Sequence, residues 1–400
     1  MKSLVVLLAA SIILLSQLSY STEASSYEGN KKVPAKIFSP FYLKLLEEIK
    51  KSLYEKLVEM SPPKKNTLQM SYGGNYKENN TIDEKKEQAV YNGSIFNWTF
   101  MIYIDGDNNL CNYASKKLNE LLKIRKNGFA IIILYDGDKY NDSCIYSITD
   151  SVKRINQSEV NMGSGITLKN FISFAKSNYS AKHYFLEIWG HGNGWMGVAF
   201  DKTNRDYLTL KEIKNAINEV DIVSFSSCYM GSIEVAYSLR SKVNYFIAPE
   251  GAMLANGLPY ERIFERLNFS ANPENVARII VEEYADYYAH TSTNFAAWNM
   301  SNITELVTLI NNFSSSINKS LIKQARNASS ISPKYVDLYK FAQFFDNEIA
   351  KEVMKAINGT IIAKFGNMHG IEIYCPLPQY YSNSYSYTDF SLDTNWDELL

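Results

Sequence analysis

Cysteine and histidine are the residue types in this chain best suited to covalent chemistry, and both are scarce. The histidines are His183, His191, His290 and His369, and the cysteines are Cys111, Cys144, Cys228 and Cys375. They form neither an HExxH pair nor paired CxxC motifs, so a zinc site is not expected. The sequence therefore favours metal-free catalysis, in which a thiolate attacks and an imidazole carries the proton.

One histidine and one cysteine each follow a predicted strand directly. The run YFLEIW at 184–189 precedes His191, and DIVSFS at 221–226 precedes Cys228. The intervening residues 208–220 predict one crossover helix that begins with a Thr209 and Glu212 capping box. Because ligands bind at the carboxyl ends of parallel strands, His191 and Cys228 are expected to project from one sheet edge.

Cys228 suits the role of nucleophile if its surroundings favour ionisation. The sequence predicts a helix that begins near Tyr229, where unpaired N–H groups stabilise negative charge. His191 lies between glycines, which allow a substrate backbone to approach, and is the natural base and later the acid for a leaving amine. A buried inert thiol and a structural loop histidine are the alternative interpretations.

The other candidates are less well placed. His183 and His369 precede predicted strands and are expected at the opposite edge, while His290 ends a helix. Cys375 ends a strand, but Pro376 follows it and no helix begins there. A serine hydrolase is a weaker interpretation, because Ser164 in MGSGI does not form a G-x-S-x-G elbow after a strand.

Short apolar runs alternate with helical patterns after residue 97. Strands are predicted at 99–105, 129–136, 184–189, 221–226, 244–249 and 370–375, and helices at 112–126, 208–220, 230–241 and through most of 260–360. Nearly continuous apolar strands indicate a sheet that is covered on both faces. The predicted fold class is α/β, with a mostly parallel sheet and helices on both faces.

The composition and the N-terminal sequence limit the possible partners, localisation and domain organisation of the protein. With 46% apolar residues the chain can form a large core, and 41 basic against 42 acidic residues give no reason to expect a nucleic-acid partner. Residues 1–24 predict a signal peptide, with an uncleaved membrane anchor as the alternative. Residues 25–96 predict an extension or pro-segment, and 97–400 the main domain. Many Asn-x-Ser/Thr triplets are compatible with a secreted glycoprotein.

Five blocks in order carry a resemblance to a known family. They are NWTFMIYIDGDNNL, IWGHGNGW, SFSSCYMGS, VDLYKFA and GIEIYCP, and they extend from about Trp98 to Pro376. In these blocks the chain resembles the clostripain-type cysteine peptidases, which belong to the clan of caspases, legumains and gingipains. The resemblance implies a caspase-like fold and endopeptidase activity on polypeptides. Together with the predicted signal peptide, this predicts a secreted endopeptidase with no membrane partner after signal removal. The resemblance also implies a thioester on Cys228, His191 as base and acid, and an oxyanion hole from the Gly192 and Cys228 amides.

The chain departs from the family pattern in the pocket for the residue before the scissile bond. Members that cut after Arg or Lys commonly have an acid two positions before the cysteine, and here that residue is Ser226. A hydroxyl does not compensate a buried guanidinium, so basic specificity would need another carboxylate, for which Glu250 is the candidate. A catalytically silent secreted binding or surface protein with the same fold is therefore the alternative function.

The resemblance also suggests activation by proteolytic cleavage and the binding of a calcium ion. Family members are often activated by self-cleavage after the histidine block, where FDKTNRDYLTL offers Lys202 and Arg205. No organic cofactor is expected, but some members need calcium. Asp136, Asp138 and Asp142 could supply oxygen ligands, or they could form a solvated turn.

The cysteines outside the proposed site allow a disulfide. Cys111 lies just beyond the strand at 99–105 and Cys144 just beyond the strand at 129–136, so neighbouring strands would bring both to one edge. An oxidising compartment would permit a bond between them. Two free thiols are the alternative, because a bond needs Cα atoms within ~7 Å.

Overall fold

The structure is a computed structural model of the chain. It describes residues 95–400 except 126, 127 and 269. The predicted signal peptide at 1–24 and all but the last two residues of the predicted extension at 25–96 lie outside the described residues. The main domain predicted from residue 97 corresponds to the part that the structure describes.

The elements of this part alternate between strand and helix, as the sequence predicts. The strands are β1 Phe96–Asp105, β2 Phe129–Asp136, β3 Cys144–Ile148, β4 Val152–Asn156, β5 Ala181–Trp189, β6 Val198–Asp201, β7 Asp206–Leu208, β8 Val220–Ser226, β9 Val243–Ala248, β10 Phe295–Asn299, β11 Tyr335–Asp337, β12 Ile361–Phe365 and β13 Glu372–Tyr374. The α-helices are α1 Cys111–Leu121, α2 Gly165–Asn178, α3 Leu210–Ala216, α4 Ile233–Leu239, α5 Tyr260–Arg266, α6 Pro273–Tyr287, α7 Ile303–Ser316, α8 Ile322–Ala328, α9 Leu338–Gln343, α10 Glu348–Thr360 and α11 Asp389–Leu392.

A nine-stranded sheet forms the centre of the fold, in the order β12-β10-β9-β8-β5-β1-β2-β3-β4. The five central strands, from β9 to β2, run parallel. The outer strands β3, β4, β10 and β12 pair antiparallel. This arrangement confirms the predicted α/β class with a mostly parallel central sheet.

Helices cover both faces of the sheet because the central strands are apolar on both sides. In β1, Trp98 and Phe100 pack in one core cluster, with α1, α5 and α6. Met101 and Tyr103 point to the other cluster, with α2, α3, α4, α7 and α10. Successive side chains of a strand face opposite sides, so a strand that is buried throughout contributes to both clusters.

The N-cap residues explain where two of the helices begin. Thr209 accepts from the Glu212 amide and Glu212 bonds back to the Thr209 amide, which confirms the predicted capping box at the start of α3. Ser164 caps α2 through a bond from the Ile166 amide, so this serine has a structural role in the fold.

Some predicted elements were wrong. The run at 370–375 forms the short β13, which pairs antiparallel with β11 in a separate two-stranded sheet. The region 260–360 is mainly helical, as predicted, but it also contributes β10 to the main sheet, and the unpredicted strand β12 follows it directly. Its strand β10 is a five-residue apolar run, a length at which periodicity does not distinguish a strand from a buried helical segment.

Within the described residues, we find no helix with both the length and the apolar character that crossing a bilayer requires.

The capping box of α3 gives a stability prediction. Thr209→Ala should lower the free energy of unfolding by about 1 kcal/mol, because it leaves the Glu212 amide without its side-chain acceptor. Urea denaturation measures the effect. Thr304→Ala, at an exposed position in the first turn of α7, is the matched control and should change stability by less than about 0.5 kcal/mol. Equal losses in both variants would contradict the assigned cap.

Candidate active site

The register of two parallel strands places His191 and Cys228 at the same sheet edge. Trp189, the last residue of β5, is paired with Ser226, the last residue of β8. His191 and Cys228 each follow two residues later. Adjacent parallel strands that end in register deliver the next residues to one edge, so the predicted placement of the pair is confirmed.

The loops that carry the two residues are packed backbone to backbone. A β-carbon added at Gly192 would lie 2.6 Å from the Cys228 carbonyl oxygen and 3.1 Å from its amide nitrogen. Any side chain here would push the two loops apart. Glycine at position 192 is therefore needed for the close approach of the histidine loop to the cysteine loop.

His191 is oriented by a residue that the sequence did not assign. Its Nε2 lies 2.7 Å from Asn109 Oδ1, in the loop between β1 and α1. An amide oxygen only accepts, so Nε2 carries the proton and Nδ1 remains free as a base. The His191 carbonyl oxygen accepts a hydrogen bond from the Ala199 amide, and this bond holds the backbone of the histidine loop in place.

Cys228 lies in a turn instead of at a helix N-terminus. The predicted helix near Tyr229 begins only at Ile233, so its amides do not stabilise the thiolate. Tyr229 adopts a left-handed conformation at φ 61° and stacks on Tyr335 at 5.4 Å. The Met253 amide, 3.3 Å from Cys228 Sγ, donates to the sulfur instead.

Tyr335 connects the cysteine turn to the histidine loop. Its buried hydroxyl accepts from the Trp195 amide at 3.2 Å and donates to the Asn193 carbonyl at 3.1 Å. Because the same ring stacks on Tyr229, both loops are held by one side chain. The relative position of the histidine and cysteine loops is thus fixed by packing as well as by strand pairing.

Burial favours the neutral forms of both reactive side chains. It raises the pKa of the Cys228 thiol, an effect that the Met253 amide opposes. It lowers the pKa of the His191 imidazole. Both shifts favour a thiol and a neutral imidazole in the free protein.

The amides predicted to form an oxyanion hole are adjacent. Gly192 and Cys228 meet at the loop contact, and neither N–H donates to the backbone of another residue in the described part of the chain. The Cys228 N–H faces its own sulfur. Two amides beside the sulfur nucleophile are the donors that an oxyanion would need.

Ser226 is hydrogen-bonded to a buried carboxylate that the sequence analysis did not identify. Its hydroxyl donates to Glu187 Oε1, on the neighbouring strand β5. Glu187 is fully buried, and burial raises its pKa to about 7, although the Ser226 and Tyr260 hydroxyls and Lys117 oppose this shift. A single acid within the apolar run YFLEIW was the signal that could have identified it.

Glu250 and Ser226 have different hydrogen-bond partners. The Glu250 Oε2 accepts from the Gly370 amide. Burial, and next the charge of Asp337, raise the pKa of the Glu250 carboxyl. Among the described contacts, Ser226 bonds Glu187 and not Glu250, so the pocket role of Glu250 stays a prediction.

The acidic residues predicted as calcium ligands do not lie together. Asp142 caps its own turn by accepting from the Gly137 and Lys139 amides, and Asp138 is exposed. Asp136 instead lies near Asp107 and Glu159, with one possible ligand oxygen from each within 4.8 Å of the others. The calcium role of Asp136, Asp138 and Asp142 stays a prediction.

The predicted disulfide is not formed. Cys111 and Cys144 are both free thiols. The Cys144 sulfur accepts from Arg154 Nε at 3.2 Å and Nη2 at 3.0 Å. Cys111 lies beside Asp138. Cys144 begins β3, an antiparallel strand that the sequence analysis did not predict, and the buried thiol packs against β4.

The predicted processing residues lie in an exposed hairpin. Lys202 and Arg205 belong to the turn between β6 and β7, where residues 202–205 are all exposed. Arg205 has a positive φ of 52°. A peptidase could reach this exposed turn. The turn would have to unfold locally before its residues could bind a peptidase site in an extended conformation.

The other histidines make different contacts. His183 is near the start of β5 and bonds Asp221 at 3.3 Å, at the opposite end of the strand from His191, as predicted. His369 bonds Asp337 at 2.8 Å and stacks on Tyr339. Its neighbour Gly370 bonds Glu250, which follows the carboxyl end of β9, so the predicted position of His369 at the opposite edge was wrong. His290 follows the end of α6.

Comparison with known proteins gives a consistent picture. A model of the clostripain family matches residues 102–400. Clostripain from Hathewaya histolytica is 27% identical, over 44% of this chain and 43% of its own length. The match therefore spans less than half of that relative.

Two solved structures share the fold. One is an inactive zymogen C11 protease from Parabacteroides distasonis, with a TM-score of 0.65, 20% identity, and coverage of 75% of this chain and 99% of that chain. The other is a secreted C11 cysteine protease from Bacteroides thetaiotaomicron, in complex with an irreversible peptide inhibitor. Its TM-score is 0.62, with 22% identity and coverage of 76% of this chain and 99% of that chain.

The resting state of the pair can be tested by alkylation. Because burial raises the pKa of Cys228, its alkylation by iodoacetamide should increase with pH through a midpoint above that of an ordinary thiol. Mass spectrometry of the Cys228 peptide gives the rate, and His191→Ala should leave the midpoint unchanged. Rapid alkylation at acidic pH that requires His191 would instead show a thiolate and imidazolium pair.

Proposed function

This chain belongs to the clostripain family, and we propose that it is a secreted cysteine endopeptidase that acts through a thioester on Cys228. The observation that carries the proposal is the contact of Gly192 with the Cys228 backbone, at the ends of two strands paired in register. This contact supports a site in which a nucleophile, a base and two backbone amides act together.

The catalytic cycle follows from these groups. His191 Nδ1 takes the proton from Cys228 as the sulfur attacks the scissile carbonyl carbon, and the Gly192 and Cys228 amides stabilise the oxyanion. The C–N bond then breaks, and His191 gives its proton to the leaving amine. Water, deprotonated by His191, next attacks the thioester and releases the acid product and the Cys228 thiol. Asn109 is a positioning residue, because it bonds Nε2 and leaves Nδ1 available.

Secretion is supported by the N-terminal sequence. The apolar run after Met1 has signal-peptide length, and Asn-x-Ser/Thr triplets such as Asn97 and Asn141 are frequent. One structural relative is described as secreted. We propose an extracellular glycoprotein with polypeptide substrates and no nucleic-acid or membrane partner. Anchoring through an uncleaved N-terminus is the alternative.

The hairpin at 202–205 is our candidate for an activating cut. It is exposed and basic, and it follows the histidine loop directly in the chain. The relative from Parabacteroides distasonis is described as an inactive zymogen, which supports the idea of an activation step. Self-cleavage after Lys202 or Arg205 would require the pocket to accept a basic residue.

The pocket is proposed to favour basic residues only moderately. Ser226 lies between the pocket and Glu187, so a bound Lys or Arg side chain would interact with the carboxylate through the hydroxyl. At a pKa of about 7, part of the Glu187 population is protonated at neutral pH and carries no charge. Both effects weaken the attraction relative to a carboxylate at position 226 itself.

The first test of the proposal is loss of activity in two variants. Cys228→Ala and His191→Ala should each reduce hydrolysis of a mixed peptide library by several orders of magnitude, because each removes a group that acts in the chemical step. Cys111→Ala, a second half-buried thiol, is the matched control and should retain activity. Near-normal turnover by Cys228→Ala would overturn the mechanism. No turnover and no active-site labelling of the unmodified chain would favour a silent binding protein.

The pocket prediction concerns pH and two substitutions. The preference for Lys over Leu before the scissile bond, measured as a ratio of kcat/KM, should rise as pH increases through about 7, because Glu187 then becomes charged. Glu187→Gln keeps the bond to Ser226 and should lower the ratio about tenfold, or ~1.4 kcal/mol. Ser226→Asp should raise it. Leu substrates serve as the control for general pH effects. A strict, pH-independent preference for basic residues would contradict this pocket.

A further inference from the structure

A fully buried acid, Glu372, bonds two of the segments that surround Cys228. It is the first residue of β13. Its backbone amide donates to the Gly231 carbonyl oxygen at 2.9 Å, in the cysteine turn at residues 227–231. Its Oε2 accepts from the Gly251 amide at 3.0 Å, in the loop that follows β9. Glu372 therefore connects the cysteine turn to this second segment, the β9 loop at residues 249–254.

The β9 loop is hydrogen-bonded to the nucleophile and to the residue that follows it. The Gly251 carbonyl oxygen accepts from the Tyr229 amide at 2.7 Å. The Met253 amide donates to Cys228 Sγ and lies 3.3 Å from it. The surroundings of the sulfur therefore depend on where the β9 loop is held.

Both segments adopt backbone conformations that need support from their neighbours. Tyr229 has a positive φ of 61°, although it is not a glycine, and Gly251 has a φ of 82°. A left-handed conformation at a non-glycine residue persists only when surrounding contacts hold it. The Gly251 peptide provides such contacts, because its amide bonds Glu372 and its carbonyl oxygen bonds Tyr229.

Packing alone does not explain why position 372 holds an acid. Its Oε1 is buried and has no partner among the described residues. Burial raises the pKa of the Glu372 carboxyl well above its ordinary value, and the charges of Glu250, Glu234 and Asp337 add to this shift, which the Gly251 amide opposes. A buried acid among other acids is destabilising. A neutral carboxyl group still accepts through its carbonyl oxygen, so this shift preserves the bond to Gly251.

We propose that Glu372 is a positioning residue for the nucleophile, because it holds the β9 loop so that the Met253 amide lies against Cys228 Sγ. Without this acceptor, the buried Gly251 N–H would lose its partner, and the loop would move to satisfy it. The effect on turnover rests on the proposed function. The effect on the sulfur does not, because a thiol reagent detects it without peptidase activity.

The test compares two uncharged replacements of Glu372 in the full chain. Glu372→Gln keeps an oxygen that accepts from the Gly251 amide, whereas Glu372→Met has a similar length and lacks that oxygen. Because both side chains are neutral, a difference between the two variants reports the hydrogen bond and not the charge. The readout is the pH midpoint of Cys228 alkylation by iodoacetamide, measured by mass spectrometry. Circular dichroism verifies folding, and Glu372→Leu replaces Glu372→Met if that variant does not fold.

The two variants should separate in both alkylation and turnover. The midpoint in Glu372→Met should exceed that in Glu372→Gln by about half a pH unit or more, because the Met253 amide no longer stabilises the thiolate. The midpoint in Glu372→Gln should be at or below that of the parent, since a charge at Glu372 raises the pKa of Cys228. Glu372→Met should lower kcat about tenfold with KM within about twofold, and Glu372→Gln should keep kcat within about twofold of the parent.

Glu234 provides the matched control. It is also buried, and its Oε1 accepts from the Tyr374 amide of β13 and the Tyr385 hydroxyl, both outside the β9 loop. Glu234→Met should have a lower Tm than Glu234→Gln, but the two should share one Cys228 midpoint.

Three results would overturn the proposal: equal midpoints in the two Glu372 variants, the same separation in the Glu234 pair, or an equal loss of kcat in Glu372→Gln and Glu372→Met. The predicted midpoint difference in a chain that hydrolyses no peptide would support the positioning role and contradict the proposed function. An active peptidase without that difference would contradict the positioning role alone. The two proposals can therefore fail separately.

Discussion

The fold depends most on the in-register pairing of β5 with β8, which ends at Trp189 and Ser226. Hydrogen bonds between two parallel strands set this register, and burial on both faces resists a slip, since a one-residue shift would reverse every side chain. The two loops that follow have little freedom, because Gly192 lies directly against Cys228. The register of the two strands therefore determines the geometry of the candidate site. Tyr335 contacts both loops and so stabilises their relative position.

The same register explains why carboxylates at this edge influence the site. Glu187 lies on the strand that delivers His191, and its bond to Ser226 crosses to the strand that delivers Cys228. Under the proposed function, a buried carboxyl whose pKa is about 7 would change its charge near neutral pH, so recognition of a cationic side chain would be linked to proton binding at Glu187. An acid at position 226 would lie closer to the substrate. With the carboxylate one strand away, the attraction would be weaker and more sensitive to pH.

The sequence predicts the central sheet and the placement of His191 and Cys228 at one edge because both depend on local signals. Continuous apolar runs identify the parallel strands, and the residue after each run identifies the edge. The sequence contains no comparable signal for loops that are distant in the chain but meet in the fold. Asn109 reaches His191 from 82 positions earlier in the chain, and Glu187 bonds Ser226 across 39 positions. The cysteine pairing and the helix near Tyr229 were wrong for the same reason: an unpredicted antiparallel strand places Cys144, and a left-handed turn delays the helix to Ile233.

Asp107 connects the exposed hairpin to the loop that carries Asn109. Its backbone oxygen accepts from the Lys202 amide at 2.9 Å, and its Oδ2 accepts from the Thr203 amide at 2.7 Å. Because Asn109 bonds His191, these two bonds tie the hairpin to the loop that positions the imidazole. A cut within 202–205 would release part of this tie, so cleavage of the hairpin would change the conformational freedom of the loop that holds Asn109.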